Sequence, residues 1–156
     1  MRLTRYFQIH LIALSGFLLM SVSQAAPSVS YFPAQDLGQF LAQEFDVATI
    51  RSSLGPRRMP TQRTFLSLGL KPSKVSNDSL VFLSQGDWLY ELHVIGRRDV
   101  NGDGVEDLEV CFIDRALNGG SYNTSTGLLI TRYSKDSYAV ALNFGLSNGV
   151  CEEYAK

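Results

Sequence analysis

Trp88-Leu89-Tyr90-Glu91-Leu92-His93-Val94-Ile95 decides the fold class. Trp88, Tyr90, Leu92 and Val94 recur at every second position, the period that places side chains on one face of a strand. Upstream, Gln85-Gly86-Asp87 reads as a tight hairpin turn back to a second strand, Ser79–Ser84. Downstream, Leu108–Ile113 repeats the alternation with Leu108, Val110 and Phe112 on one face. Thr64–Leu70, Leu128–Tyr133 and Tyr138–Phe144 are further strand candidates, with turn signals at Asn118-Gly119-Gly120 and Lys135-Asp136-Ser137. Short strands with close turns imply a mostly antiparallel sheet. Ahead of them, Leu37, Phe40, Leu41 and Phe45 recur at helical spacing, which predicts a helix over Ala34–Phe45, begun by Pro33 and with Asp36 near its positive end. A second helical turn is expected over Val47–Leu54, stopped at Gly55-Pro56. The expected class is α+β: an N-terminal helix packed on a mostly antiparallel sheet of about five to six strands.

The extreme N-terminus reads differently. Arg2 and Arg5 form a positive start, Ile9–Val22 an apolar run, and Ser23-Gln24-Ala25 supplies small residues at the −3 and −1 positions of a cut after Ala25. This is the pattern of a cleavable secretory signal peptide over 1–25. The apolar run is shorter than the ~20 residues a membrane span needs. The leader carries no Arg-Arg pair and the cleavage site no Cys, so neither twin-arginine nor lipoprotein export is expected. The expectation is a secreted or periplasmic protein, with a single domain over 26–156 and no membrane span after cleavage.

Of the 14 Lys and Arg in the chain, two lie in the leader, which leaves 12 against 15 Asp and Glu, a net −3. That mild acidity argues against a dedicated nucleic-acid binder. Cys111 and Cys151 are the two cysteines. An even count in an exported chain implies one disulfide, worth roughly 4 kcal/mol for a closed loop of this length in the chain-entropy model. The alternative, a nucleophilic Cys111, is disfavoured by its apolar neighbours Val110 and Phe112, which raise a thiol pKa.

The chemistry-bearing stretch is Asp99-Val100-Asn101-Gly102-Asp103-Gly104-Val105-Glu106-Asp107. Oxygen-bearing side chains stand at loop positions 1, 3, 5 and 9, with Gly at position 6. Calcium takes six to eight oxygen ligands, and alternate short carboxylates with a sharp glycine turn can wrap it. The candidate metal ligands are Asp99, Asn101, Asp103, Asp107 and the backbone carbonyl of Val105. Glu109 shares Asp107's strand face and is a weaker candidate, whereas Glu106 points away and is expected in solvent. A polar hairpin turn would use the same Asn-Gly and Asp-Gly dipeptides, but it does not require acids at alternate positions.

On Asp99, Asn101, Asp103, Gly104 and Asp107 the loop resembles the D-x-[DN]-x-D-G-x-x-D loops of FG-GAP/VCBS-type repeats, thrombospondin type 3 repeats and EF-hand-like loops of exported proteins. The resemblance implies a bound Ca²⁺ and nothing about the remaining fold. It departs from a full EF-hand at position 12, where Val110 replaces the bidentate Glu, and no helix pair flanks the loop. The expected affinity is therefore modest, about 10⁻⁴ to 10⁻³ M, and the expected role of the ion is structural.

Other constellations are thinner. His93 is the one His after the leader and shares a strand face with Glu91, which suggests an ion pair or, less simply, a general base. Asp114 and Arg115 read as an ion pair at a turn. Trp88, Tyr122, Tyr133 and Tyr138 could line a sugar-binding face, or simply pack as strand aromatics. Residues 47–77 carry Arg51, Arg57, Arg58, Arg63, Lys71 and Lys74 and no acid, which reads as a solvated loop region balanced by the acidic second half or, more sharply, as a basic patch for anionic polymers or lipid head groups. No G-x-S-x-G, P-loop or dinucleotide fingerprint occurs. The expected function is an exported calcium-binding, non-catalytic module with a binding or structural role toward an unknown protein or glycan partner. The alternatives are a small secreted hydrolase using carboxylates or His93, and a carbohydrate-binding or adhesion module.

Overall fold

The computed structural model describes residues 28–51, 56–57, 59–84, 87–146 and 148–154. The leader over 1–25, the tip of the Gln85-Gly86-Asp87 turn, Arg58 and most of the segment up to Gly55 lie outside them.

Helix α1 spans Leu37–Glu44 and a 3₁₀ turn spans Val47–Thr49. Strands β1 (Pro72–Val75), β2 (Ser79–Ser84), β3 (Trp88–Arg98), β4 (Asp107–Ala116), β5 (Asn123–Thr131) and β6 (Val140–Leu142) follow, and a second 3₁₀ turn spans Asn148–Cys151. The strands form one six-stranded antiparallel sheet in chain order, β1-β2-β3-β4-β5-β6. Each strand pairs with its sequence neighbour, as close turns between alternating segments require.

The alternation in β3 and β4 sets the layers. Register pairs Leu80 with Leu92, Leu92 with Phe112, and Val110 with Val94 and Leu128. These residues form one face, and Leu80, Leu92, Leu108, Val110 and Phe112 are almost wholly buried. Helix α1 covers that face with Leu37 and Leu41, joined by Phe45 and by Phe65, which stacks on Phe82 with ring centroids 4.4 Å apart. The helix lies close because residue 38 is Gly: a Cβ there would stand 2.3 Å from the Ser76 carbonyl oxygen. Phe40 packs at the margin of that core, edge-on to Phe32 and beneath the Arg132 guanidinium.

β4 is buried on both sides. Its opposite face carries Cys111 and Ile113, which pack with Val150, Cys151 and Tyr154. Cys111 and Cys151 form a disulfide with a Cα–Cα distance of 5.2 Å, tying the C-terminal segment across the sheet.

Four expectations need correction. The helix is not N-terminal in the chain: the segment from Ser28 to Asp36 already contacts the sheet before it. It starts at Leu37 rather than Ala34 because Asp36 is left-handed (φ 58°), and the Asn77 side chain accepts the Leu37 amide. Thr64–Leu70 is not a strand. Thr64 and Ser67 exchange side-chain and backbone hydrogen bonds (Thr64 N to Ser67 Oγ 2.8 Å; Ser67 N to Thr64 Oγ1 3.2 Å), and Leu68 N donates to Thr64 O. Such local bonds draw the backbone into turns despite the apolar residues. The first strand comes later, at the sheet edge, and begins with Pro72, where a missing N–H is tolerated. Finally, β5 starts at Asn123 rather than Leu128, because β4 offers a pairing partner as far as Arg115.

Candidate metal centre

The 99–107 loop joins β3 to β4 beyond a bulge between Val94 and Gly96. The bulge turns Arg97 to the face of Leu108 and Arg98 to the face of Asp107. Within the loop, side-chain oxygens gather backbone amides. Asp99 Oδ1 accepts from Gly102 N (2.7 Å) and Asp103 N (3.2 Å), and its Oδ2 accepts from Gly104 N (2.9 Å). Asn101 Oδ1 accepts from Asp103 N, and Asp103 Oδ1 from Val105 N. Gly104 has φ 83°, the left-handed turn expected at loop position 6.

Asp107 closes the loop from the first position of β4. Its Oδ2 accepts from Val100 N (3.0 Å) and Asn101 N (3.4 Å). Its Oδ1 is buried without a hydrogen-bond partner, and the residue is 0% exposed. Thr131 stands directly opposite on β5, also 0% exposed, and its Oγ1 is likewise unpartnered. Tyr133 lies nearby, its hydroxyl pKa raised by partial burial and by the charges of Asp103 and Asp107. Among the described residues no hydrogen bond uses the Val105 carbonyl.

The five sequence candidates therefore share one loop. Their carboxylates are turned to backbone amides, and among the described residues no three His, Cys, Asp or Glu side chains already form a group that could hold a metal. The candidate donors are all oxygens, the ligand type a hard cation takes. An anionic oxygen accepting one amide keeps a further lone pair, and Asp107 Oδ1 and the Val105 carbonyl are uncommitted. Glu109 is not available: Arg98 holds its carboxylate through Nε (2.9 Å) and Nη2 (3.0 Å).

Glu106 is not in solvent as expected. Arg97 Nη2 donates to it at 2.7 Å and Ser30 Oγ also bonds it. Burial alone would raise the Glu106 pKa, but the hydrogen bonds from Arg97 and Ser30 and the charge of Arg97 bring it below the ordinary value. This pairing belongs to a contact the sequence does not announce. Val29 N donates to Gly104 O and Glu106 N donates to Val29 O, both at 2.8 Å, so the segment before α1 lies along the loop as a parallel bridge. Only the polar Ser30 hints at it.

The remaining candidates separate. His93 Nε2 bonds Glu91 Oε2 at 2.8 Å, and its ring stacks on Tyr154 at 4.1 Å. The disulfide removes Cys111 as a nucleophile. Asp114 and Arg115 are not a turn ion pair: they are successive residues inside β4, so their side chains point to opposite faces. Asp114 is wholly buried and receives Trp88 Nε1–H and the Tyr122 hydroxyl (3.1 Å). Its charge, after burial itself, helps push the Tyr90 pKa up to about 12. The sequence signal for this cluster was an acid at an inward-facing strand position. The four aromatics do not make a row. Trp88 and Tyr122 meet at 5.5 Å by Asp114, Tyr133 lies by the loop at the other end of β4, and Tyr138 lies under Arg63. Arg63 in turn is bound to the buried carboxylate of Asp46, so this part of the basic stretch is neutralised internally.

No protein-family model, curated protein or solved structure matches this chain.

Proposed function

We propose that the protein is an exported, non-catalytic module in which one Ca²⁺ pins the β3–β4 loop. Asp99, Asn101, Asp103 and Asp107 would hold the ion through side-chain oxygens and Val105 through its carbonyl, and the charge they lack among themselves comes from the cation. The observation that carries this reading is Asp107 Oδ1: a fully buried carboxylate oxygen with no donor, on a side chain whose other oxygen already faces the loop. A buried anionic oxygen left unpaired is costly, and a hard cation is the partner that an all-oxygen set selects. Export is supported by the signal-peptide pattern over 1–25 and by the disulfide, which persists in oxidising compartments. Among the described residues no helix is long and apolar enough to cross a membrane.

A catalytic reading has less behind it. His93 is tied to Glu91 and capped by Tyr154, and no nucleophile accompanies it in a described hydrogen bond. The ion in our reading supplies stability by mass action. With Kd of about 10⁻⁴ to 10⁻³ M and Ca²⁺ at about 5 mM, the gain is about 1–2 kcal/mol.

The test is thermal unfolding of the mature, oxidised protein with Ca²⁺ and with EGTA, beside Asp99→Ala/Asp103→Ala. A rise of several degrees that the double variant loses supports the site. An equal response in both proteins, or none, removes it.

A further inference from the structure

We propose that a small cavity on the sheet face away from α1 binds a free α-amino acid in its zwitterionic form. The cavity holds about 100 Å³ and is lined by Glu91 of β3, Ile113 and Arg115 of β4, Asn123 of β5, and Tyr154. It is independent of the calcium loop, which lies at the other end of β4.

Two charged side chains define it, Arg115 and Glu91. Arg115 Nε is buried and makes no hydrogen bond, and no ion pair joins the guanidinium to any described carboxylate. A guanidinium always carries its charge and directs its N–H groups at carboxylates in a fixed fork. Glu91 commits Oε2 to His93, and no described hydrogen bond uses its Oε1. Glu91 is paired across the strands with Ile113, so Arg115, two residues on, is its diagonal neighbour, about 7–8 Å away. Their side chains are long enough to meet across that diagonal, yet no ion pair joins them among the described residues, and the cavity between them leaves room for a bridging ligand. A ligand carboxylate on Arg115 and an ammonium on Glu91 would satisfy both, with Ile113 and the Tyr154 ring against a small aliphatic substituent.

Size and charge exclude the other classes. Pockets for drug-sized or sugar ligands begin near 300 Å³, whereas one water takes about 30 Å³, so this cavity suits a few heavy atoms. A simple anion would meet the Glu91 carboxylate, and a simple cation would meet Arg115. Only a molecule bearing both charges answers both groups.

The walls are fixed rather than assembled on binding. The Cys111–Cys151 disulfide anchors the segment that brings Tyr154 over the sheet, and Tyr154 stacks on His93, which holds Glu91 in place.

The test is an NMR titration of the oxidised mature protein, following the Arg115 Nε–H and Asn123 side-chain signals, with L-alanine, acetate and methylammonium as separate probes. L-alanine is expected to give saturable shifts with Kd of about 1 mM, and Glu91→Gln to weaken it at least about tenfold without loss of fold. Acetate and methylammonium are expected to bind at least about tenfold more weakly than L-alanine. Absence of saturation by L-alanine up to about 50 mM would mean that the cavity holds only water and would overturn the proposal. Acetate shifting the same signals as tightly as L-alanine would overturn it too, since Glu91 would then play no part.

Discussion

Asp107 at the start of β4 and Thr131 at the end of β5 face each other across the antiparallel pair, and each buries an oxygen, Oδ1 and Oγ1, that has no hydrogen-bond partner. An unpartnered carboxylate oxygen and an unpartnered hydroxyl in register are a cost in the metal-free protein and an asset if a cation sits beside them. Thr131→Val separates these. The substitution is nearly isosteric and removes an unsatisfied buried hydroxyl, whose desolvation costs about 1–3 kcal/mol. In EGTA the variant should therefore be as stable as the parent or more so, by about 1 kcal/mol. In Ca²⁺ it should gain less than the parent gains. Urea unfolding in both conditions measures the two effects, and a variant that loses stability equally in each would show that the hydroxyl has an ordinary packing role.

The layers of the fold were legible where the sequence alternates without interruption. Trp88 to Val94 and Leu108 to Phe112 carry the period-two pattern, and they form the centre of the sheet. The loop residues were legible because metal-type spacing is local. What escaped the reading depends on partners distant in sequence. Asn123 to Ser125 look like loop residues and become strand only because β4 extends beside them. Thr64 to Leu70 have strand-like composition, but the Thr64–Ser67 exchange folds them as turns. The bond from Val29 to Gly104 and the burial of Asp114 under Trp88 and Tyr122 leave no periodic trace.

The disulfide should matter more for the C-terminal segment than for the core. Cys111 and Cys151 are 40 residues apart, and that loop closure stabilises the chain by roughly 4 kcal/mol. The main core lies on the other face of the sheet and includes neither cysteine. Cys111→Ala/Cys151→Ala should lower the unfolding free energy measured in urea by that order while keeping the far-ultraviolet dichroism of the sheet. The Tyr154 ring should leave His93, so the His93 ring protons should lose their stacking shift. A double variant as stable as the parent would show that the bond closes nothing of consequence.

Tyr90 predicts an alkaline limit. Its pKa stands at about 12, raised first by burial and then by the Asp114 charge. A group whose pKa is raised on folding stabilises the native state fully below its unfolded value, here 10.0, and that contribution is lost as pH climbs toward 12. Tyr90→Phe should flatten the fall in melting temperature between those limits while leaving neutral pH stability nearly unchanged. Parallel curves for variant and parent would assign the alkaline loss to other tyrosines.

The bridge from Val29 to the loop makes the segment before α1 a reporter of loop order. Val29 N bonds Gly104 O, Glu106 N bonds Val29 O, and Ser30 and Arg97 both hold the Glu106 side chain. Arg97 also donates to Pro33 O, and Arg132 to Tyr31 O, so three successive points tie this segment to the sheet. If Ca²⁺ orders the loop, it orders the strip of backbone that receives Val29. Hydrogen exchange at the Val29 and Glu106 amides should then slow at least about tenfold in Ca²⁺ relative to EGTA, while Leu92 and Phe112 in the core change only by the global stability difference. Acid should loosen the same contact. The Glu106 pKa is lowered on folding, so its stabilising contribution is present above the ordinary carboxylate range and is lost as pH falls through the folded value. Glu106→Gln should remove that acid sensitivity at Val29 without altering the Ca²⁺ response of the loop amides. Equal protection of Val29 with and without Ca²⁺ would show that the segment docks on the sheet independently of the loop.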